Sequence, residues 1–256
     1  MKDNEQAQGQ YLYAIIACAE PREFKARGIG EHGDVVHTIN YRRLAAVVSN
    51  SPNVEYENSR RNMMAHTLVL EEVMEQFTLL PVRFGTIAPD AQTVATRLLA
   101  SRYEEFTELL EQMRDRIELG LKAFWYEGAA FDEVVRDSET IRRMRDALKG
   151  RSLEETYYER IRLGEEVEKA LAQKRMRDEE TILSRIRPLV HKTRTNKIIS
   201  DRMVINAAFL VDRRHGSEVD GVVRKLDEEL NDRLMFKYVG PVPPYNFVNI
   251  VVNWAG

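Results

Sequence analysis

The spacing of hydrophobic residues predicts several strands and then a helix in the first part of the chain. Runs rich in β-forming residues predict strands at Tyr11–Cys18, Val35–Asn40 and Leu44–Ser49. Ser59 is a suitable N-cap, and the helix that it begins is predicted to end near Gln76. The hydrophobic residues of this helix recur three or four positions apart and share one face: Met63, Leu70, Val73, Met74 and Phe77.

A further strand and helix follow. Hydrophobic residues alternate at Leu79–Phe84, which predicts a short strand. Pro81 has no amide hydrogen to donate, so it places this strand at an edge of the sheet or at the strand's start. Asp90 is predicted to cap the next helix, with a break near Ser101. That helix carries Val94, Leu98, Phe106, Leu109 and Met113.

The pattern changes near Arg116. Ile117–Trp125 alternates strictly and predicts a strand, whereas Phe131–Val190 is charged and predicted to be helical. Breaks in this helical region are expected at Lys149-Gly150 and before Pro188. The remaining predicted elements are a strand at Met203–Val211, a helix with a capping box of Ser217 and Asp220, and strands at Leu234–Tyr238 and Phe247–Val252.

The order of these elements predicts an α+β protein of two domains. Residues 1–115 are expected to form an N-terminal α+β domain. Residues 116–240 run strand, long helical region, strand, helix, strand, which suits a ferredoxin-like domain elaborated by helical residues 131–190. Residues 241–256 are expected to form a C-terminal tail.

Composition narrows the class of protein. Of the 256 residues, 43% are hydrophobic, which is ordinary for a folded chain. Charged residues reach 31% but nearly cancel to −3, which argues against nucleic-acid binding by a domain-wide positive field. The longest apolar run, Tyr11–Ala19, is too short to span a membrane, and Met1–Gln10 is polar, so we expect a cytosolic protein. Cys18, the single cysteine, is expected to be a buried thiol.

A glycine-rich segment, Gly28–Gly33, matches the G-x-G-x-x-G pattern of dinucleotide-binding loops, with Glu55 about twenty residues later. Such a loop must end a strand and begin a helix, so that the helix N-terminus meets the pyrophosphate. Here the following residues, from Val35 onward, are β-forming. We therefore interpret the motif as a connection between strands.

No constellation of catalytic or metal-binding residues is evident. The five histidines are scattered and lack the spacing of metal ligands. His66 shares the core face of its helix, so we expect a buried histidine with a backbone or carboxylate partner rather than a catalytic base. The sequence thus predicts no catalytic residue, no metal site, no cofactor and no small-molecule substrate.

Charged residues cluster in two ways. Helical carboxylates such as Glu166 stand near basic residues such as Lys169 and are typical of solvated faces. Residues 184–202 contain six basic residues and one acidic residue, a local charge of +5, with no aromatic residue among them. A solvated loop is the first interpretation of this stretch, a patch for an acidic protein the second, and nucleic acid the third.

Two residues are candidates for contact with a partner. Arg83 interrupts an apolar strand; its side chain either packs on the sheet and pairs with a carboxylate, which we favour, or anchors a partner at the edge. Tyr245 follows Pro241, Pro243 and Pro244. This rigid segment either pins the tail or presents Tyr245 to a partner, and the sequence leaves both interpretations open.

Two separated segments carry a family resemblance. Leu79–Ala88 reads Leu-Leu-Pro-Val-Arg-Phe-Gly-Thr-Ile-Ala, and Gly240–Phe247 reads Gly-Pro-Val-Pro-Pro-Tyr-Asn-Phe. Together they resemble the signature of the GvpF/GvpL family of gas vesicle proteins, and we favour the F branch. The resemblance extends over Tyr11–Cys18, His66–Glu71 and Arg202–Gly240.

The resemblance implies an accessory or minor structural protein of the gas vesicle, the protein shell that gives aquatic microbes buoyancy. It implies association with the hydrophobic shell protein GvpA, preventing its aggregation or supporting vesicle nucleation and assembly, and it leaves other gas vesicle proteins open as further partners. It further implies a cytoplasmic protein associated with the vesicle, without enzymatic activity and with no nucleic-acid or membrane partner.

Two other classes stay open at this point. An enzyme with dispersed carboxylates would need a deep pocket and perturbed carboxylate pKa values. A ferredoxin-like nucleic-acid-binding module would need exposed aromatic residues on the open sheet face and strongly salt-dependent binding.

Overall fold

The structure of the protein, a computed structural model, describes residues 8–30, 33–252 and 254. Residues 1–7 of the polar segment Met1–Gln10, and Glu31 and His32 of the glycine-rich motif, lie outside the described residues. Residues 8–10 of the polar segment belong to the first strand. The described residues up to Glu118 and from Pro241 onward form one compact unit, and Leu119–Gly240 forms the other. The C-terminal segment, which we predicted as a separate tail, is thus part of the N-terminal unit.

The N-terminal unit contains a six-stranded sheet. Its order is β2-β3-β4-β1-β5, and β6 also pairs with β1. The pairs are antiparallel, with Tyr11 of β1 opposite Ser49 of β4. The strands are β1 (Gln8–Ala17), β2 (Glu23–Arg27), β3 (Val35–Tyr41), β4 (Leu44–Pro52), β5 (Leu79–Pro81) and β6 (Ile87–Ala88). Strand β5 ends the order of the sheet, as Pro81 predicts.

The core of this unit lies around β1, whose residues 11–16 are all fully buried. Helix α1 (Arg60–Gln76) packs one face with Val69, Leu70 and Val73 against Tyr11 and Tyr13. It begins as predicted, because the Ser59 hydroxyl accepts a hydrogen bond from the amide of Asn62 at 3.3 Å. It also ends at the predicted residue, Gln76. Since both faces of β1 are buried, a second helical layer is required on the sheet.

That second layer runs from Ala91 to Met113 and contacts β1, β3, β4 and β5. The predicted cap is confirmed, because the Asp90 carboxylate accepts a hydrogen bond from the Thr93 amide at 2.6 Å. The layer consists of α2 (Ala91–Thr93), a π-helical segment (Val94–Ala100) and α3 (Tyr103–Met113). The predicted break at Ser101 separates the last two.

Two predictions for this sheet need correction. The strand expected at Leu79–Phe84 is only three residues long, Leu79–Pro81. Strand β2 was not predicted, because its residues are mostly charged and only Phe24 is buried. Its position is fixed from outside: the Glu72 carboxylate of α1 accepts hydrogen bonds from the amides of Lys25 at 2.9 Å and Ala26 at 2.6 Å.

The glycine-rich segment connects β2 to β3, as we interpreted it, so no helix N-terminus follows it. The Gly28 amide donates to the Asp34 carbonyl at 2.9 Å, which closes the connection. A Cβ atom at Gly28 would stand 2.6 Å from Oγ of Ser49 and 2.7 Å from its Cβ. Glycine is present here because the backbone passes close to β4, and not because it binds a phosphate.

The Gly28→Ala substitution is therefore expected to lower the free energy of unfolding by about 1–3 kcal/mol, since Ser49 and its strand must move to admit the methyl group. Gly164 is the matched control. It lies in a helix with nothing within 4 Å of an added Cβ, so Gly164→Ala should stabilise by about 0.5–1 kcal/mol. Urea denaturation followed by circular dichroism measures both; two changes of the same sign would contradict this explanation.

The C-terminal unit runs strand, helices, strand, strand, helix, strand, with the sheet order β10-β7-β9-β8. Strands β8 and β9 are antiparallel. The elements are β7 (Arg116–Trp125), α4 (Ala129–Asp137), α5 (Glu139–Ala147), α6 (Tyr157–Ile186), β8 (Lys192–Thr195), β9 (Met203–Asp212), α7 (Gly216–Leu230) and β10 (Leu234–Val242). The α+β class is confirmed, and the ferredoxin-like assignment stays a prediction.

The helical region is three helices whose apolar faces meet. Leu163, Val167, Ala170 and Leu171 of α6 pack on a cluster formed by Val134, Val135 and Ile141. The break expected at Lys149-Gly150 lies in the turn between α5 and α6. Pro188 lies in a 3-10 helix, Arg187–Leu189, directly after α6.

Two further predictions are wrong. The expected capping box of Ser217 and Asp220 does not cap α7, which begins at Gly216 with His215 as N-cap and no side-chain capping bond. The strand expected at Phe247–Val252 is reduced to a single parallel bridge between Ile250 and Val82. The backbone amides of Phe247 and Val248 form a turn instead of pairing with a strand. They donate to the Pro244 carbonyl at 3.0 Å and 2.9 Å.

Candidate partner-binding site

A buried histidine lies at the centre of the N-terminal unit. Helix α1 places His66 on its core face, where the side chain is 1% exposed and packs near the rings of Tyr11, Tyr13 and Phe84. The core position of His66 was predicted from the spacing of its helix. Its hydrogen-bond partners were not, because both ring nitrogens meet tyrosine hydroxyls rather than a carboxylate or a backbone group.

A continuous chain of hydrogen bonds passes through this histidine. The Gly85 amide donates to Oη of Tyr11 at 3.0 Å, and that hydroxyl lies 3.0 Å from Nδ1 of His66. Nε2 of His66 lies 2.8 Å from Oη of Tyr245. A neutral ring donates from one nitrogen and accepts at the other, so one of the two tyrosine hydroxyls donates to His66 and the other accepts from it.

Burial keeps this chain neutral. It lowers the pKa of His66 to about 4 and raises those of the Tyr11 and Tyr245 hydroxyls above their ordinary range. The neighbouring Tyr13 has its pKa raised by burial to about 12, and its hydroxyl accepts from the Ile29 amide at 2.7 Å. At neutral pH the cluster is therefore a structural bridge without charge.

The C-terminal segment is fixed to the N-terminal unit at three further points. The Glu118 carboxylate accepts from the Asn246 amide at 2.9 Å and from its side-chain nitrogen at 2.6 Å. Ile250 is buried and bridges Val82 just after β5. Arg102 donates to the Val251 carbonyl at 3.0 Å. The segment is thus held along its described length, and it covers the sheet edge at Val82.

The two signature segments meet through this cluster. Gly85 belongs to the first and Tyr245 to the second, and Tyr11 and His66 connect them. His66 is 55 positions from Tyr11 and 179 positions from Tyr245 in the sequence. The segments that most resemble a family signature therefore form one structural site.

Arg83 lies on the surface beside this site. Its side chain is exposed, and it forms no ion pair with another residue in the described part of the chain. The carboxylate partner that we favoured is therefore not found among residues 8–30, 33–252 and 254. Arg83 lines an open cavity of about 500 Å³ in the N-terminal unit. Other residues of its wall are Glu55, Tyr56, Asn58, Thr86 and Trp254.

Tyr245, the second candidate, is bound at its hydroxyl but exposed over part of its ring. Its hydroxyl is held by His66, whereas 44% of the residue remains exposed. The structure therefore gives it the pinning role that the proline-rich segment suggested. Its contact with a partner stays a prediction, because a bound hydroxyl leaves part of the ring available.

The C-terminal unit contains a buried cluster of charges that we did not predict. The Asp178 carboxylate accepts from Nη1 of Arg233 at 2.8 Å and from Nε1 of Trp125 at 2.8 Å, and Nζ of Lys174 lies 3.3 Å away. Lys174 also pairs with Glu133. The spacing of Lys174 and Asp178 on the inner face of α6 is the signal that could have indicated it.

Features expected of an enzyme or metal site are few. Among residues 8–30, 33–252 and 254, no three His, Cys, Asp or Glu side chains come together as a metal site requires. The pKa of Asp90 is lowered by the hydrogen bond from the Thr93 amide of the helix that Asp90 caps, and those of Glu105 and Asp146 are lowered by hydrogen bonds from ion-pair partners, which is a structural pattern. No helix of the described chain is long and apolar enough to cross a membrane.

Comparison with known proteins identifies the family. The model of the family described as gas vesicle synthesis protein GvpL/GvpF matches residues 9–249. The chain belongs to the GvpL/GvpF family. The match spans both signature segments and both compact units, so the resemblance first recognised in two segments is confirmed.

Relatives within the GvpL/GvpF family include several F-type proteins. Gas vesicle protein F of a Streptomyces species is 32% identical over 241 residues, covering 93% of this chain and 98% of the relative. Gas vesicle protein F of a Nostoc species is 27% identical over 244 residues, covering 94% and 98%. Gas vesicle protein L1 of Halobacterium salinarum is 21% identical over 259 residues, covering 93% and 90%. These values agree with the F branch that we favoured.

Solved structures of the GvpL/GvpF family have the same fold. The crystal structure of GvpF from an Anabaena species superposes with a TM-score of 0.85 at 27% identity, covering 96% of this chain and 100% of that one. GvpF from Microcystis aeruginosa gives a TM-score of 0.78 at 26% identity, covering 93% and 98%. The α+β fold described above is therefore that of GvpF proteins.

Proposed function

We propose that this protein is an accessory or minor structural protein of the gas vesicle that associates with the shell protein GvpA. In this proposal it works in the cytoplasm and at the vesicle, preventing aggregation of GvpA and supporting nucleation and assembly. Membership of a gas vesicle family supports a gas-vesicle-related role.

The physical reason for such a partner is general. A shell subunit that is insoluble alone exposes apolar surface or a strand edge, and these must be covered until it is used. A covering protein needs a surface that is not already occupied by its own chain. At Val82 the sheet edge is already bridged by Ile250, so we place the contact beside that edge instead.

The observation that carries the proposed site is Arg83. It is an exposed cation without an ion-pair partner among the described residues, on the wall of an open cavity that also presents Tyr56 and Trp254. Aromatic and arginine side chains are the residues that most often dominate protein interfaces. Because the first signature segment contains Arg83 and hydrogen-bonds the core through Gly85, its position on the fold is fixed.

Arg83→Glu is expected to reduce co-purification of GvpA at least tenfold and to return GvpA to the insoluble fraction. The reason is that an interfacial charge is reversed while the folded core is untouched. The measurement is co-expression with a tag on this chain, followed by sedimentation. Arg22→Glu is the control, because Arg22 is also exposed in the N-terminal unit but does not line the cavity.

The outcomes separate the site from the function. If GvpA co-expressed with the unmodified protein still sediments and none of it co-purifies with the tag, the proposed direct association is wrong. If unmodified protein and Arg83→Glu carry GvpA equally, the Arg83 site is wrong and association stands. Tyr245→Phe tests the second candidate: it removes the hydroxyl but keeps the ring, so a pinning role alone predicts lower stability with normal recovery of GvpA.

A further inference from the structure

The long helix α6 has an outer face without a partner in its own unit. Its inner face packs on α4 and α5 through Leu163, Val167 and Leu171. On the outer face a second row follows the helical spacing of three and four positions. That row consists of the exposed residues Tyr158, Ile161, Glu165, Glu168, Ala172 and Met176.

The N-terminal end of this outer face is apolar and aromatic. Tyr158 is 77% exposed, and its ring makes an edge contact with that of Tyr157 at 5.4 Å between centroids. We call this surface, formed by Leu153, Tyr157, Tyr158 and Ile161, the aromatic end. All four residues are exposed. Four exposed hydrophobic side chains at one end of a helix are typical of a contact surface.

The surroundings of the aromatic end are acidic. Residues 151–168 contain six acidic and three basic residues, a net charge of −3. Glu165 and Glu168 continue the same outer row, one and two turns beyond Ile161. A partner for this surface therefore combines an apolar tip with positive charge.

The same unit contains a surface of that description. Residues 184–202, the basic segment, contain six basic residues and one acidic residue. Two of the six, Arg185 and Arg187, already pair with Glu229 and Glu180. Ile199 within it is 70% exposed. Lys192 and Lys197 are exposed and form no ion pair with another described residue. Strand β8, at the start of this segment, lies at an edge of its sheet.

The two surfaces cannot meet within one chain. Nη2 of Arg175 donates to the Asp201 carbonyl at 2.7 Å, so the loop after β8 lies beside the middle of α6. Tyr158 is 17 positions before Arg175 in the helix, a distance of about 25 Å along the axis. Each copy of the protein thus presents both surfaces at separate places on one unit.

We propose that the aromatic end of α6 binds the basic segment of a second copy of this protein, head to tail. A symmetric contact of either surface with itself would bring like charges together. A contact between the two different surfaces instead brings the exposed Glu165 and Glu168 toward the exposed Lys192 and Lys197, and it gives Ile199 an apolar neighbour. Such a contact is either made twice, reciprocally, in a two-fold dimer or made once, in which case it is heterologous and copies form a ring or an open chain. This inference does not depend on the proposed association with GvpA.

The test is sedimentation velocity of the purified full chain over a range of concentrations. In about 50 mM sodium chloride the mean mass is expected to rise with concentration, and in about 500 mM it should return toward the monomer because salt screens the charges. Glu165→Lys with Glu168→Lys should weaken self-association at least tenfold, as should Lys192→Glu with Lys197→Glu. Mixing the two double variants should restore it, because each retains the surface that fits the other.

Controls make the result decisive. Tyr158→Ser should weaken self-association, whereas Leu68→Ser, at a residue 54% exposed on α1, should leave it unchanged. A chain that is monomeric at every concentration overturns the proposal, and so does association that both charge-reversal pairs leave intact. If the variants instead lose GvpA while all chains are monomeric, the surface belongs to the shell protein and the proposal is wrong.

Discussion

Replacing Asp178 by alanine is expected to lower the free energy of unfolding of the C-terminal unit by about 3–5 kcal/mol, the usual cost of removing one partner from a buried ion pair. Asp178 accepts hydrogen bonds from Arg233 and Trp125, both at 2.8 Å, and lies 3.3 Å from Nζ of Lys174. Without it, Glu133 is the remaining carboxylate of the cluster for the buried Lys174 and the half-buried Arg233. The lost partners lie on α6 itself, at the end of β7 and in the turn before β10, so the helix and the sheet both loosen.

Urea denaturation followed by circular dichroism measures this change. Glu180→Ala is the matched control: it removes a carboxylate from the same helix, but its 2.8 Å pair with Arg187 is exposed to solvent. An exposed pair of this kind contributes about 0–1 kcal/mol. If Asp178→Ala costs no more than Glu180→Ala, the buried cluster does not hold the helix on the sheet.

Lowering the pH from about 7 to about 4 is expected to remove about 3 kcal/mol of stability from the N-terminal unit through His66 alone. Its pKa is about 4 in the folded protein, below the ordinary value of 6.5, because the ring is buried. Between these two values the unfolded chain binds a proton that the folded chain does not. This contribution is therefore complete above pH 6.5 and is lost as the pH falls toward 4.

The groups that face His66 do not offset this loss. Tyr11 and Tyr245 hold its two nitrogens, Tyr13 packs on its ring, and burial raises the pKa of all three hydroxyls, so none carries charge in this range. Other carboxylates add their own pH dependence, so the quantity to measure is the difference between wild type and His66→Gln. Glutamine keeps hydrogen-bonding groups but takes up no proton.

Urea titrations at several pH values from about 4 to about 7.5 give this difference. The wild type should lose more stability than His66→Gln on acidification, and the nuclear magnetic resonance signal of the His66 ring should titrate below pH 5. Parallel pH profiles for the two proteins would show that His66 is not the group responsible. A ring that titrates near 6.5 would place it in contact with water.

Local sequence signals predicted the elements that depend on neighbouring residues. The bounds of the helix from Ser59 to Gln76 were predicted correctly, because its cap and most of its apolar spacing are local. Met63, which was expected on the core face, is instead 42% exposed. Strand β2 was missed, because its charged residues show no alternation and the Glu72 carboxylate that fixes it comes from another element. The strand expected at Phe247–Val252 failed for a related reason: β-forming residues alone do not supply a paired neighbour.

By itself the sequence determined the α+β class, most of the elements and, through Leu79–Ala88 and Gly240–Phe247, the family. Only the tertiary structure decided that these two segments converge on Tyr11 and His66, and that Arg83 lines a cavity without an ion-pair partner among the described residues. The physical reason is distance along the chain. Periodicity and capping are set by residues a few positions apart. The hydrogen bonds of His66 to Tyr11 and to Tyr245 span 55 and 179 positions of sequence, so they exist only once the sheet and helices have packed.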